Sequence, residues 1–209
     1  VGHSRQYIYV LFGSYSFPAN ADLINLHSAS RSWGFYIHNA FNMTVGSAGD
    51  LNADGIDDLI VGSSKDTYNG KLECGIIYVL FGKSQYELFA NIELSSLVSG
   101  VDGFRVFGTA AGDQFGSAVY GGVDVNADGV DDLVIGARYA DPYGRENAGS
   151  ATIIFGKSGI REDVDTSSIA PDRGFQIFGE STFDYFGGSV TLLKDLNGDG
   201  IGEIVVSSA

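Results

Sequence analysis

Apolar and polar positions alternate in short bursts along this chain. GFRVF (103–107) and GFQIF (174–178) set aromatic and branched residues at every second position. DLVIG, EIVVS, IIYVLFG and ATIIFG are brief β-branched or aromatic runs, most of them closed by glycine. Both patterns predict strands. Nowhere does an apolar face recur at i, i+3, i+4 and i+7 over a dozen residues. Tyr86–Val98 comes nearest and predicts only a short turn or helix.

The bursts recur as a set. Three acidic segments open at Asp50, Asp124 and Asp195, spaced 74 and 71 residues apart. YVLFG ends at Gly13 and Gly82, with TIIFG ending at Gly156, and Gly-Phe pairs stand at Gly34, Gly103 and Gly174. Three landmarks in one order at one period define a tandem repeat of about 72 residues. Each repeat offers four strands: the Gly-Phe strand, a Phe-Gly-x-Ser-Val strand, the strand after the acidic loop, and YVLFG. Four antiparallel strands are one blade of a β-propeller, so the fold class is all-β, a partial or split propeller. The division is 1–31 as the end of a preceding blade with a linker, 32–101 as repeat 1, 102–172 as repeat 2 and 173–209 as a truncated repeat 3. Copy one is five residues shorter before its acidic loop, with NMTVGSAG standing where copy two has DQFGSAVYGG. That predicts an irregular strand there.

Composition narrows the picture. Thirty glycines, 3 prolines, 14 Phe and 11 Tyr in 209 residues fit many short strands with tight turns, and 44% hydrophobic content supports a core. A formal charge of −14 argues against nucleic acid or anionic membrane as partner. No apolar run approaches the about 18 residues of a spanning helix. The opening residues lack the pattern of a signal peptide. Cys74, the one cysteine, excludes an internal disulfide and reads as inert.

The chemistry lies in the acidic segments, D-x-N-x-D-G-x-x-[DE]. Side chains at positions 1, 3, 5 and 9 can converge on one point, glycine at 6 permits the turn, and position 7 can add its carbonyl. An all-oxygen set rich in carboxylates suits calcium. The candidate ligands are Asp50, Asn52, Asp54, Ile56 (carbonyl) and Asp58; Asp124, Asn126, Asp128, Val130 (carbonyl) and Asp132; and Asp195, Asn197, Asp199, Ile201 (carbonyl) and Glu203. Plain Asp-Gly turns are the simpler alternative. They do not require acids and an amide at alternate positions three times over, and packed carboxylates repel one another without a cation. A helix–loop–helix calcium hand is excluded, because its position-12 acid is replaced by Val61, Ile135 and Val206 within strand-like runs. About three calcium ions are therefore expected, and millimolar calcium outside cells would fill even weak sites.

Phe115–Gly116, then DVNADGVDD, then IGAR resembles the FG-GAP repeat of the integrin α-subunit propeller; copies one and three carry VGSS and VSSA at the last position. The resemblance implies a seven-bladed extracellular propeller with calcium loops opposite its ligand surface. Related repeats occur in secreted phospholipases, lectins and bacterial surface proteins. Three repeats do not close a ring, so the chain is either an excerpt of a longer propeller or a subunit whose split blade a neighbour completes.

The leading expectation is a calcium-binding extracellular or cell-surface module for adhesion or protein–protein recognition, with a protein partner or further copies of itself. Recognition would fall on loops 63–74, 108–114, 137–148 and 179–185, which carry Tyr68, Tyr139, Tyr143 and Arg145. The alternatives are a structural repeat of a surface filament, or a non-catalytic propeller part of a larger secreted enzyme or lectin. Catalysis is not expected: no histidine recurs with the repeat, and no nucleophile elbow, HExxH or phosphate-binding glycine loop is present. Asn42-Met43-Thr44 is a glycosylation sequon.

Overall fold

A computed structural model describes residues 6–13, 34–38, 42–84, 91–159 and 162–208. In chain order the strands are β1 (Tyr7–Leu11), β2 (Gly34–His38), β3 (Met43–Gly49), β4 (Asp58–Ser63), β5 (Ile76–Leu80), β6 (Ile92–Glu93) and β7 (Gly103–Phe107). Then follow β8 (Ala118–Val123), β9 (Asp132–Ala137), β10 (Ser150–Ile154), β11 (Val164–Asp165), β12 (Gly174–Phe178), β13 (Val190–Leu193) and β14 (Glu203–Val206). Helical geometry among the described residues is confined to three-residue 3₁₀ turns. One of them, Leu94–Ser96, falls within the stretch read as a short turn or helix. His3, His27 and Trp33 lie outside the described residues.

The chain divides into two compact units, 1–40 with 83–97 and 41–82 with 98–209. In the smaller, β1 pairs antiparallel with β2, and β6 lies parallel along β2. The larger unit is a succession of blades. β3, β4, β5 and β7 form one antiparallel sheet, which β11 extends in parallel along β7. β8, β9, β10 and β12 form the next, and β13 with β14 a third. The first strands, β3, β8 and β13, pack side by side.

This stacking explains the apolar runs. β9 and β10 are buried along their whole length because each of their faces meets another sheet. Period two splits β9 between two cores. Leu133 and Ile135 join Ile60, Ile77, Val79 and Phe104 of the preceding sheet, whereas Val134 joins Ala151, Ile153, Val190 and Leu192.

Two features depart from the frame read in the sequence. Each Gly-Phe strand pairs with YVLFG or its equivalent from the preceding repeat, so a hydrogen-bonded sheet runs one strand ahead of the repeat. Glycine is needed at that junction: Gly34, Gly103 and Gly174 have φ of +152°, +154° and +145°, and a Cβ would run into the carbonyls of Val10, Val79 and Ile153. Second, the strand expected to be irregular is so, but no more than its counterpart in copy two. β3 pairs with β4 from Met43 to Gly49 with one register shift at Ser47/Gly49, and β8 has the same shift at Gly121/Val123. Copy one is shortened in the connection before β3, where length costs little, while pairing with β4 holds the strand.

The recurrent phenylalanines divide in burial. Phe104, Phe107 and Phe115 are buried, Phe178 and Phe186 are half-buried, and Phe175 on β12 is 41% exposed. Cys74 is buried, which pushes its thiol pKa up.

Candidate metal centre

Each acidic loop joins the first two strands of its sheet, and its side chains fold back onto its own N–H groups. In loop one, Asp50 Oδ1 and Oδ2 accept from the N–H groups of Asp54 (2.9 Å) and Gly55 (2.8 Å). Asn52 Oδ1 accepts from Asp54 N (2.8 Å), and its Nδ2 donates to Asp54 Oδ2 (2.9 Å). Loop two repeats this with Asp124 accepting from Asp128 N and Gly129 N, and Asn126 donating to Asp128. Loop three repeats it with Asp195 accepting from Gly200 N, and Asn197 donating to Asp199. Asp54, Asp128 and Asp199 each accept from the N–H of the position-7 residue, Ile56, Val130 or Ile201, at 2.8–2.9 Å.

Glycine at position 6 has φ of +88°, +86° and +86°, as the turn requires. Position 4 is also left-handed, with Ala53 at +57°, Ala127 at +60° and Gly198 at +85°. That second left-handed residue escaped the sequence reading, although glycine in copy three marked it.

Position 9 begins the following strand and ties the loop down. Asp58 Oδ2 accepts from Leu51 N (3.1 Å) and its Oδ1 from Gly82 N (2.9 Å). Asp132 accepts likewise from Val125 N (2.7 Å) and Gly156 N (2.9 Å). Glu203 accepts from Leu196 N (2.6 Å) through Oε2, while its Oε1 is buried without a hydrogen-bond partner. Burial pushes the Asp58 carboxyl up to about 7 and Asp132 up to about 6; the acids at positions 5 and 1 add to this, and the backbone donors oppose it.

The donor set fits a hard cation. It is all oxygen, the carboxylate oxygens other than Asp124 Oδ1, which accepts from both Asn126 N and Asp128 N, keep a second lone pair beyond one N–H bond, and Glu203 Oε1 is buried with no partner. Loop three brings one oxygen from each of Asp195, Asp199 and Glu203 within 4.8 Å of one another. In loops one and two, the position-9 acids are instead drawn to paired backbone donors.

At the other end of β4 and β9 lie the long loops, about 20 Å away along six residues of strand. They run in pairs. Gln114 N and Phe115 N donate to Glu73 O and Cys74 O, and one repeat on Tyr185 N and Phe186 N donate to Asn147 O and Ala148 O. Tyr143 is 82% exposed with φ +55°, and Arg145 lies over its ring at 5.2 Å. Arg138 lies over Tyr139 and Tyr185 at 4.7 and 5.6 Å. Tyr68, on the first of the candidate recognition loops, is half-buried and stacks on Phe107 with centroids 3.8 Å apart.

The family model for the FG-GAP repeat matches residues 41–72 and 115–154, which contain the first two acidic loops and their flanking strands. The chain carries FG-GAP repeats. The two halves of that signature meet in space: Gly116 N of Phe-Gly donates to Gly136 O of the Ile-Gly-Ala segment at 2.9 Å, and Gly187 N donates to Ser207 O one repeat on. Among similar proteins, integrin alpha pat-2 of Caenorhabditis elegans is 33% identical over 162 residues, 76% of this chain and 12% of that protein. Integrin alpha-5 of Xenopus laevis is 29% identical over 203 residues, 95% of this chain and 17% of that protein. Phosphatidylinositol-glycan-specific phospholipase D of Bos taurus is 28% identical over 163 residues, 78% of this chain and 18% of that protein. The FG-GAP chain thus spans between about an eighth and a fifth of these relatives. It forms integrin-alpha-like FG-GAP blades, and no helix among the described residues is long and apolar enough to cross a membrane.

Proposed function

We propose that this chain is a calcium-stiffened propeller segment that presents loops for protein recognition outside the cell or on its surface. The observation that carries the reading is one loop geometry built three times, with its carboxylates oriented by backbone N–H groups and, in loop three, brought within 4.8 Å of one another. Calcium would be held by Asp50, Asn52, Asp54, Asp58 and the Ile56 carbonyl; by Asp124, Asn126, Asp128, Asp132 and the Val130 carbonyl; and by Asp195, Asn197, Asp199, Glu203 and the Ile201 carbonyl. The cation supplies positive charge where carboxylates crowd, and cross-links each loop to the strand that follows it. Three ions would bring the formal charge from −14 to −8.

The chain's own residues keep the blade ends rigid, and the loops at the opposite ends of β4 and β9 become a fixed surface. The exposed and half-buried aromatic and arginine groups there, Tyr143 with Arg145 and Arg138 with Tyr139 and Tyr185, are of the kinds that dominate protein–protein contacts. The integrin alpha relatives support adhesion or recognition. The phospholipase relative supports a second reading, in which the segment is the non-catalytic propeller of a larger enzyme. In either case the chain itself performs no chemistry. Asn42 is exposed at the start of β3 and is a candidate for glycosylation.

The test is a calorimetric titration of the chelator-stripped chain with calcium, with magnesium as control. About three calcium-preferring sites are expected; a folded chain that binds no calcium refutes the proposal.

A further inference from the structure

The three acidic loops are not braced alike. Asp131, at position 8 of loop two, reaches back into loop one, where its Oδ2 accepts from the Asp50 backbone N–H at 2.9 Å. The segment after β10 holds the same loop: Lys157 N donates to Leu51 O at 2.9 Å, and Gly159 N to Asn52 O at 3.1 Å. Space for the Asp131 carboxylate exists because residue 49 is glycine, with φ +67°. A Cβ there would collide with that carboxylate.

One repeat on, the small and large partners exchange places. Val123 stands where copy one has Gly49, and Gly202 stands where copy two has Asp131. A Cβ on Gly202 would collide with the Val123 side chain, and the contact between these loops is Gly202 N donating to Asp124 O at 3.0 Å. The first junction is therefore glycine against carboxylate, and the second valine against glycine.

Asp50 is the first candidate ligand of loop one. Both its carboxylate oxygens are oriented by loop N–H groups, and its own N–H is fixed by Asp131. A carboxylate on that N–H sets the backbone of the ligand and adds negative charge beside the site, which at short range favours a bound cation. We propose that Asp131 is a positioning residue for the cation site of the first loop, so that this site depends on the second repeat while the second loop takes no such carboxylate from the third. The proposal rests on the reading that the loops hold calcium.

The experiment is calcium calorimetry on the 209-residue chain, on Asp131→Ala and Asp131→Asn, and on each combined with Asp54→Ala, which removes the first site. Circular dichroism checks that each variant is folded. Asp131→Ala is expected to weaken one of the three sites about tenfold, roughly the contribution of a hydrogen bond to a charged group. Asp131→Asn keeps an oxygen that can accept from Asp50 N and should lose less. In the Asp54→Ala background, neither change should weaken the remaining two sites. Unaltered binding by both Asp131 variants overturns the proposal. So does a loss that persists in the Asp54→Ala background, since Asp131 would then act on its own loop. If the unmodified chain binds no calcium, the reading of the loops falls, and the proposal with it.

Discussion

Asp113 offers a test of the loop face that leaves the candidate cation sites untouched. It lines a cleft of about 410 Å³ between loop 108–114 and the β9–β10 loop, together with Tyr139, Asp141 and Glu146. Burial pushes its carboxyl up to about 7 from 3.8, and the Asp141 charge adds to the effect. An acid whose pKa is higher folded than unfolded holds its proton more tightly in the native state. Its contribution to stability is therefore greatest below pH 4, falls as pH rises from about 4 to 7, and is flat above that. A shift of about three pKa units sets a ceiling near 4 kcal/mol; because the group is only half-buried, solvent screening reduces this to about 1–2 kcal/mol. Asp113→Asn keeps the shape and removes the charge. In chelator, the variant should match the wild type at pH 4 and exceed it by about 1–2 kcal/mol at pH 7.5, measured by urea unfolding followed by circular dichroism. An equal stability difference at both pH values, or none at pH 7.5, would refute the reasoning. The expected result has a functional corollary: a carboxylate that weakens the fold at neutral pH fits a surface that recognises something else.

Two further outcomes follow from burial and bonding. Phe104→Ala, at a fully buried position beside Phe81, should cost about 3–5 kcal/mol, whereas Phe175→Ala at the same motif position should cost about 1 kcal/mol because that ring is already 41% exposed; paired urea titrations check this. Asp163 accepts from Ser99 Oγ and Arg105 N, both at 2.7 Å, and pairs with the Arg105 guanidinium at 2.8 Å, so Asp163→Ala should cost about 2 kcal/mol. Breaking the exposed Lys65–Glu73 pair should cost under about 0.5 kcal/mol, and thermal unfolding of the two variants compares them.

The parts of this fold that are local in sequence were legible there. Asp50, Asn52 and Asp54 meet across four residues, so their spacing alone places them on one loop, and Gly55 announces the turn. The blade's four antiparallel strands were readable because period-two faces and glycine-closed runs recur at one interval. Long-range pairing was not readable. The Gly-Phe strand β7 stands closer in sequence to β8 of its own repeat than to β5, yet it pairs with β5, where Gly103 fits against the Val79 carbonyl. Asp58 reads as a free ligand in the motif, yet it also caps Gly82 N, 24 residues on. Asp131 reads as a spare acid, and its role depends on a glycine 82 positions earlier. Nothing near Tyr68 in sequence reveals its stacking partner, Phe107.

One calcium ion per FG-GAP loop is the proposed occupancy, and counting ions per chain tests it. The chain would be dialysed against calcium and its metal content measured by mass spectrometry, beside Asp54→Ala, Asp128→Ala and Asp199→Ala. The account predicts about three ions for the wild type and one fewer for each variant. A count that does not fall in a folded variant, or a wild-type chain that stays folded and carries none, would contradict it.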